Sequence, residues 1–184
     1  MSLAWAQFLK KNNWIPIYLS IFVIIYLFFL YHDILGIGYE TARDLANRGA
    51  RVILAVRNLQ KGIQAAQNIM KATGRHNLMV RKLDLSSLNN VRKFAAEIHK
   101  SEPRLDILVL NAGIALTQKY LTEDNLELHM ATNHFGHFLL TNLLLPLMCQ
   151  TSMMKNRTSL DPVRIICVSS IAHWYVLISD GSGA

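Results

Sequence analysis

Leu105–Gly113 reads LDILVLNAG, and its two halves differ sharply. Ile107, Leu108, Val109 and Leu110 form an unbroken branched apolar run, which Asn111, Ala112 and Gly113 end at once. Continuous apolar runs of this length suit a strand buried on both faces, as in a parallel sheet covered by helices. Small residues at the carboxyl end of such a strand let a flat ligand approach the backbone, which is where open α/β sheets bind ligands. One segment therefore predicts both a doubly wound parallel α/β sheet and the edge of that sheet on which a site lies.

The flanking sequence alternates as such a sheet requires. Glu40 to Asn47 reads as helix, closed by Arg48-Gly49, and Arg51 to Val56 as strand. Leu59 to Thr73 carries Ile63, Ala66, Ile69 and Met70 at helical spacing and stops at Gly74. Leu78 to Leu85 is a further strand-like run, after which Ser86 or Ser87 caps a helix bearing Val91, Phe94, Ala95 and Ile98 on one side. Pro103 ends that helix. A long helix with Met130, Phe135, Phe138, Leu139 and Leu143 is expected to stop near Pro146, and Val163 to Val168 forms the last strand, before Ser169-Ser170. Strands alternating with helices of this length mean βαβ units with right-handed crossovers. Met153 to Asp161 is the one loop-like polar stretch, and its Asn156-Arg157-Thr158 sequon matters only in a lumenal domain.

The hydrophobic fraction of 52% and mean hydropathy of +0.23 are high for a soluble domain. The excess sits in Trp14–Leu30, WIPIYLSIFVIIYLFFL, which carries no charge. Its length is close to the shortest helix that spans a bilayer, about 17 residues, and Trp14, Tyr18, Tyr26 and Tyr31 supply interfacial aromatics. A signal peptide would have a shorter apolar core and a small-residue cleavage site, and a core helix apolar all round is unusual in so small a domain. The organisation expected is a transmembrane anchor at about 14–31 within residues 1–34, then an α/β unit over 35–184. Lys10 and Lys11 before the run and Arg43 and Arg48 after it do not fix its orientation.

A net charge of +7 and a pI near 9.6 raise the question of nucleic acid. The basic residues are scattered among acids without runs or interleaved aromatics, so no nucleic-acid partner is expected and an anionic lipid surface suits them better. Cys149 and Cys167 lie in apolar contexts without metal spacing and read as small core residues. His129, His134 and His137 lack the acid or Cys that would complete about four ligands, so no metal is expected.

Candidate site residues fall before the first expected helix and at the ends of three expected strands. Gly36-Ile37-Gly38 precedes the first helix, where backbone amides and the helix dipole suit a phosphate, although most such pairs are simply turns. Arg57 ends a strand where dinucleotide folds read the adenosine ribose; an Arg accommodates a 2′-phosphate, favouring NADP over NAD, and the alternative is a solvated strand-end Arg. Asp84 either accepts from an adenine amine or caps the next helix at Ser86. Asn111, Ala112 and Gly113 end the fourth strand.

Taken in order, GIGYETARDLANRGARVILAVRN (Gly36–Asn58), LDLSSLNNVRKFAAEI (Leu83–Ile98), LDILVLNAG, LTEDNLELHMATNHFGHFLLTNLLL (Leu121–Leu145) and VRIICVSSIAH (Val163–His173) resemble the short-chain dehydrogenase/reductases, and most the membrane-anchored, retinol-dehydrogenase-like branch. The resemblance implies a Rossmann fold that binds NADP(H) and oxidises or reduces an alcohol or carbonyl on a lipophilic substrate. It implies a single-pass location in a membrane, the endoplasmic reticulum, with the lipid bilayer as partner. By the same resemblance Asn111, Ala112 and Gly113 line the cofactor, Asn133 supports the active-site water and proton relay, and Ser170 orients the substrate oxygen.

The pattern breaks in three places. The family opens with a strand and Thr-Gly-x-x-x-Gly-x-Gly; here Tyr31 and His32 occupy the threonine and first-glycine positions, and the anchor stands where the strand belongs. A His brings a side chain into the space reserved for pyrophosphate, and loss of a central strand would leave two inner edges unpaired. The family's Asn-Asn-Ala-Gly reads Leu110-Asn111-Ala112-Gly113, a mild change. Finally, no Tyr-x-x-x-Lys follows Ser170: Tyr175 is followed four positions on by Ser179, and no lysine occurs after Lys155. The resemblance makes that pair the proton donor and its activator, so the expectation is an incomplete, catalytically impaired enzyme with weakened cofactor binding. The alternatives are a truncated splice product or a non-enzymatic, membrane-anchored interaction protein.

Overall fold

A computed structural model describes residues 22–27, 36–115, 118–154 and 162–169. Five strands, β1 (Phe22–Leu27), β2 (Arg51–Val56), β3 (Leu78–Lys82), β4 (Ile107–Leu110) and β5 (Arg164–Cys167), form one sheet in the order β3-β2-β1-β4-β5. Every pairing is parallel. The connections carry α1 (Ile37–Asn47), α2 (Leu59–Thr73) and α3 (Leu88–Ser101), and then a helical segment made of α4 (Leu128–Met130), a π-helical turn (Ala131–Phe135) and α5 (Gly136–Ser152).

The two faces of the sheet follow from alternation along its strands. Ile53, Ala55, Leu108 and Leu110 pack with Val91, Phe94 and Ile98 of α3 and Leu140, Leu144, Leu147 and Met148 of α5. Val52, Leu54, Val56, Ile107 and Val109 pack on the other face with Tyr39, Ala42 and Leu45 of α1 and Ala65, Ala66 and Ile69 of α2. This is the doubly wound architecture that LDILVLNAG predicts.

Local signals set most boundaries. Asn58 caps α2 by accepting from the Lys61 N–H at 3.1 Å, and Ser87, the second of the two candidate serines, caps α3 through Asn90 N–H at 3.2 Å. Gly74 terminates α2 at φ 66°, a left-handed conformation that costs glycine nothing. Arg51 grips the buried Glu102 at 3.0 and 3.1 Å, and Arg104 grips the buried Asp106 at 2.9 Å. Both carboxylates lie at the amino-terminal end of β2 and β4, the edge opposite the site, and serve the fold.

Four expectations need correction. The apolar run does not form a helix through Phe22–Leu27: these residues are β1, the central strand, in register with Arg51–Val56 on one side and Ile107–Val109 on the other. The rest of the run lies outside the described residues. Val23, Ile24, Ile25 and Tyr26 are strong strand formers, and two waiting strands satisfy their backbone as fully as a helix would. The inner edges of β2 and β4 are therefore paired, and the α/β unit reaches back to Phe22, ahead of residue 35. Second, β3 stops at Lys82 and not at Leu85; Leu83 and Leu85 are fully buried beyond its end.

Third, α5 runs through Pro146 to Ser152. Pro146 and Asn142 are both exposed, so the missing helical bond between them lies on the outer side of α5, while Leu144, Leu147 and Met148 hold both halves against the core. Fourth, Cys149 and Cys167 are exposed, as are Phe135 and Phe138: the buried stripe of α5 is Leu140, Leu144, Leu147 and Met148, and Cys167 lies on the exposed side of β5, the edge strand. Among the described residues no helix is long and apolar enough to cross a membrane.

Candidate cofactor site at the carboxyl edge of the sheet

Gly36 is the residue before α1, extended at φ −91° and ψ 168°, with no side-chain cap. Among the described residues, a Cβ placed on it meets nothing within 4 Å. The first N–H groups of α1, beginning at Ile37 and Gly38, have no intrahelical acceptors and carry the positive end of the helix dipole. Gly38 is buried against the sheet.

Arg57 directly follows β2 and is exposed; among the described residues it makes no hydrogen bond or ion pair. Asp84 follows β3 and folds the chain into a turn: its Oδ1 accepts from Ser86 N–H at 3.0 Å and Ser86 Oγ at 2.6 Å. Asp84 thus closes a turn ahead of α3 and leaves the capping of that helix to Ser87, and among the described residues its Oδ2 makes no hydrogen bond.

Asn111 follows β4, Ala112 is buried, and Gly113 turns beneath Asn133, whose Oδ1 lies 3.8 Å from a Cβ placed on the glycine. Asn133 sits in the π-helical turn and clamps Ile114 from both sides. Its Oδ1 accepts from the Ile114 N–H at 2.8 Å and its Nδ2 donates to the Ile114 carbonyl at 2.9 Å. An amide carries a donor and an acceptor side by side, so one side chain saturates both backbone groups of a residue no sheet ladder reaches. Asn133 therefore fixes the path of the Asn111–Gly113 exit. Single π turns inside α-helices commonly mark functional positions.

Three of the segments follow parallel strands that end on one edge of the sheet, β2 before Arg57, β3 before Asp84 and β4 before Asn111, while Gly36 opens α1 and residues 28–35, between it and β1, lie outside the described residues. Ser170 lies outside the described residues, as do Tyr31 and His32.

Sequence reasoning missed several neighbours. Gly136, the first residue of α5, donates its N–H to the Ala131 carbonyl across the π turn. A Cβ there would lie 2.9 Å from Leu85 Cβ and 3.0 Å from the Ala131 oxygen, and closer still to the Leu85 carbonyl oxygen. Only glycine lets the helix touch the β3–α3 connection. Asp124 Oδ2 accepts from the Leu88 N–H at 2.9 Å, satisfying the first turn of α3 from a distant loop. No local pattern announces such a long-range cap.

Glu127 caps the helical segment. Backbone N–H donation from His129, the His129 ring and the Met130 N–H hold its carboxyl at about 2, well below the ordinary range. The distances are 3.0, 2.7 and 2.9 Å. His134 is exposed, its ring 5.3 Å from Phe135 and 6.3 Å from Phe138. The three histidines thus occupy three different settings.

His137 is buried, and its Nε2 has no hydrogen-bond partner among the described residues. Burial pushes the imidazole from 6.5 down to about 4, partly opposed by a hydrogen bond to the Asn133 carbonyl. The unfolded chain then binds a proton that the folded chain refuses between those values. Stability is full above pH 6.5 and falls as pH drops towards 4, by an amount of the order of 3 kcal/mol. His137→Leu is expected to flatten that slope in denaturant titrations at stepped pH; an unchanged slope assigns the acid sensitivity elsewhere.

The short chain dehydrogenase family model matches residues 34–177. Human retinol dehydrogenase 11 is 44% identical over 138 residues, 75% of this chain and 41% of the relative. Human retinol dehydrogenase 13 is 46% identical over the same length, 39% of the relative. The chain thus spans about two fifths of these curated relatives. A metagenomic short-chain oxidoreductase solved in complex with NADP superposes with a TM-score of 0.64 at 25% identity, covering 83% of this chain and 63% of that one. The Pseudomonas aeruginosa RhlG/NADP active-site complex gives 0.63 at 28% identity, over 83% and 55%. With the sheet order, the glycine-led first helix and the Asn111-Ala112-Gly113 exit all in place, the chain belongs to the short-chain dehydrogenase family, in its retinol-dehydrogenase-like branch.

Proposed function

We propose that this chain binds NADP(H) along the carboxyl edge of its sheet, in an oxidoreductase scaffold built for a lipophilic alcohol or carbonyl. The observation that carries the reading is the placement of Arg57, Asp84 and Asn111–Gly113 after the carboxyl ends of β2, β3 and β4, with Gly36–Gly38 opening α1. The residues fit the cofactor: the amino end of a helix that opens on a glycine with no side-chain cap suits a pyrophosphate, and an exposed guanidinium with no partner among the described residues suits a 2′-phosphate. Asp84 Oδ2 is the acceptor for the adenine amine, and the Asn111–Gly113 backbone forms the wall. When bound, NADP(H) gives or takes a hydride. Asn133 is a positioning residue, and Ser170 orients the substrate oxygen. The retinol dehydrogenases among the relatives and the NADP complexes among the solved structures support the substrate class and the cofactor.

Residues 1–184 hold the cofactor weakly and do not turn substrate over. No Tyr-x-x-x-Lys follows Ser170 in them, and matched proton transfer is worth roughly 10²–10⁴ in rate. A second reading, favoured by the absence of charge in Trp14–Leu30, is a single-pass attachment of that run to a lipid bilayer at the endoplasmic reticulum, which does not hold at the same time as β1 pairs in the sheet.

The cofactor reading is tested at Arg57. Removing one charge-assisted contact to phosphate costs about 1.5–3 kcal/mol. Arg57→Ala is expected to weaken NADPH binding roughly tenfold or more and leave NADH binding unchanged, measured by fluorescence titration. Equal losses for both nucleotides would remove Arg57 from the site. No preference in the parent chain would favour the non-enzymatic interaction protein.

A further inference from the structure

The central strand lies wholly within the uncharged run. Trp14–Leu30 is 17 residues long, and six of them, Phe22–Leu27, pair with Arg51–Val56 along their full length and with Ile107–Val109 on the other side. We infer that a lipid bilayer and the sheet compete for Phe22–Leu27, so that the chain inserts this run into a membrane only by withdrawing its central strand. The inference rests on the bilayer reading above and adds the exclusion.

The exclusion follows from backbone geometry. Hydrocarbon offers no hydrogen-bond partners, so the run crosses it only as a helix, with every N–H and C=O satisfied internally. A helix rises about 1.5 Å per residue and a parallel strand about 3.3 Å, so six residues cannot hold both sets of bonds. As a helix, the 17 residues reach roughly 26 Å, a little short of a hydrocarbon core of about 30 Å, which leaves none of the run to spare for a strand. Withdrawal exposes the facing edges of β2 and β4 in the middle of the sheet. The carboxyl edge loses its order with them, because Gly36 follows β1 and Asn111 follows β4.

The test uses the full chain and vesicles of uncharged phosphatidylcholine, so that the net charge of +7 plays no part. Flotation reports binding, and amide hydrogen exchange at Val52–Val56 and Ile107–Leu110 reports the sheet. We expect both sets of amides to be protected without vesicles, and the floated chain to lose that protection. Ile25→Pro removes a ladder bond from the centre of a sheet, where proline is not tolerated, yet transmembrane helices accept proline; it is expected to raise the floated fraction at least threefold. Ser20→Arg places a charge in the run outside β1 and is expected to weaken partitioning roughly a hundredfold while leaving protection intact. Flotation with β2 and β4 still protected would overturn the competition and leave the bilayer reading standing. No flotation at all, or equal flotation of the two variants, would overturn both.

Discussion

Gly136→Val lowers the stability of the chain by about 3 kcal/mol or more, against the direction that helix propensity alone dictates. In an open helix, replacing glycine with alanine gains about 1 kcal/mol, and Gly136→Ala removes the ambiguity by isolating that term. Here the added Cβ meets the Leu85 backbone carbonyl, with Leu85 Cβ at 2.9 Å and the Ala131 oxygen at 3.0 Å. Backbone does not swing aside as a side-chain tip does, and Leu85 is itself fully buried. Relief requires α5 to move off the β3–α3 connection, which drags on the π turn and the Asn133 clamp. Urea titration of the two variants checks this: both are expected to fall below the parent chain, valine further. An alanine variant more stable than the parent would show that α5 does not approach Leu85 so closely.

Phe94→Ala has an effect of similar or greater size for a different reason. Phe94 is the largest of the fully buried side chains and lies between α3, α5 and the sheet. Truncating a buried Phe costs about 3–5 kcal/mol, through lost transfer energy and the cavity left behind. A domain's whole stability is about 5–15 kcal/mol, so the variant stands near the limit of folding. The expected fall in Tm is roughly 10 °C or more by differential scanning calorimetry. A fall of only a degree or two would mean that α5 does not close over Phe94, and the helix carrying Asn133 would then need another anchor.

These two positions show why the sequence was readable in some places and silent in others. Strands β2 and β4 declare themselves because a strand covered on both faces must be apolar at every position, and the caps at Ser87 and Gly74 are local events with local signatures. Strand β1 was equally apolar, and that was the difficulty. An uncharged run satisfies a bilayer and a sheet interior alike, and only the presence of β2 and β4 on either side distinguishes them.

Helix α5 posed a related problem. No Asp, Glu, Lys or Arg occurs between Met130 and Met154, so its periodicity has no polar face from which to read a phase. The buried stripe fell on Leu140, Leu144, Leu147 and Met148, and Cys149 turned outwards. The strand-end positions of Arg57, Asp84 and Asn111 were legible because topology alone brings parallel strand ends together, and Gly36 was legible as the opening of α1. The Asn133–Ile114 clamp, the Asp124 cap and the close approach at Gly136 join residues far apart in the chain. Each depends on a meeting that sequence spacing does not encode.

The central claim is that the opening of α1 and the ends of β2, β3 and β4 form one NADP(H) site around a sheet completed by Phe22–Leu27. Backbone amide NMR of the 20.9 kDa chain during NADPH titration tests it most directly. The account predicts that Gly36–Gly38, Arg57, Asp84 and Asn111–Gly113 shift together along a single saturation curve, with an affinity weaker than micromolar. Shifts confined to Arg57, different midpoints for different strand ends, or no shift at millimolar NADPH would contradict it.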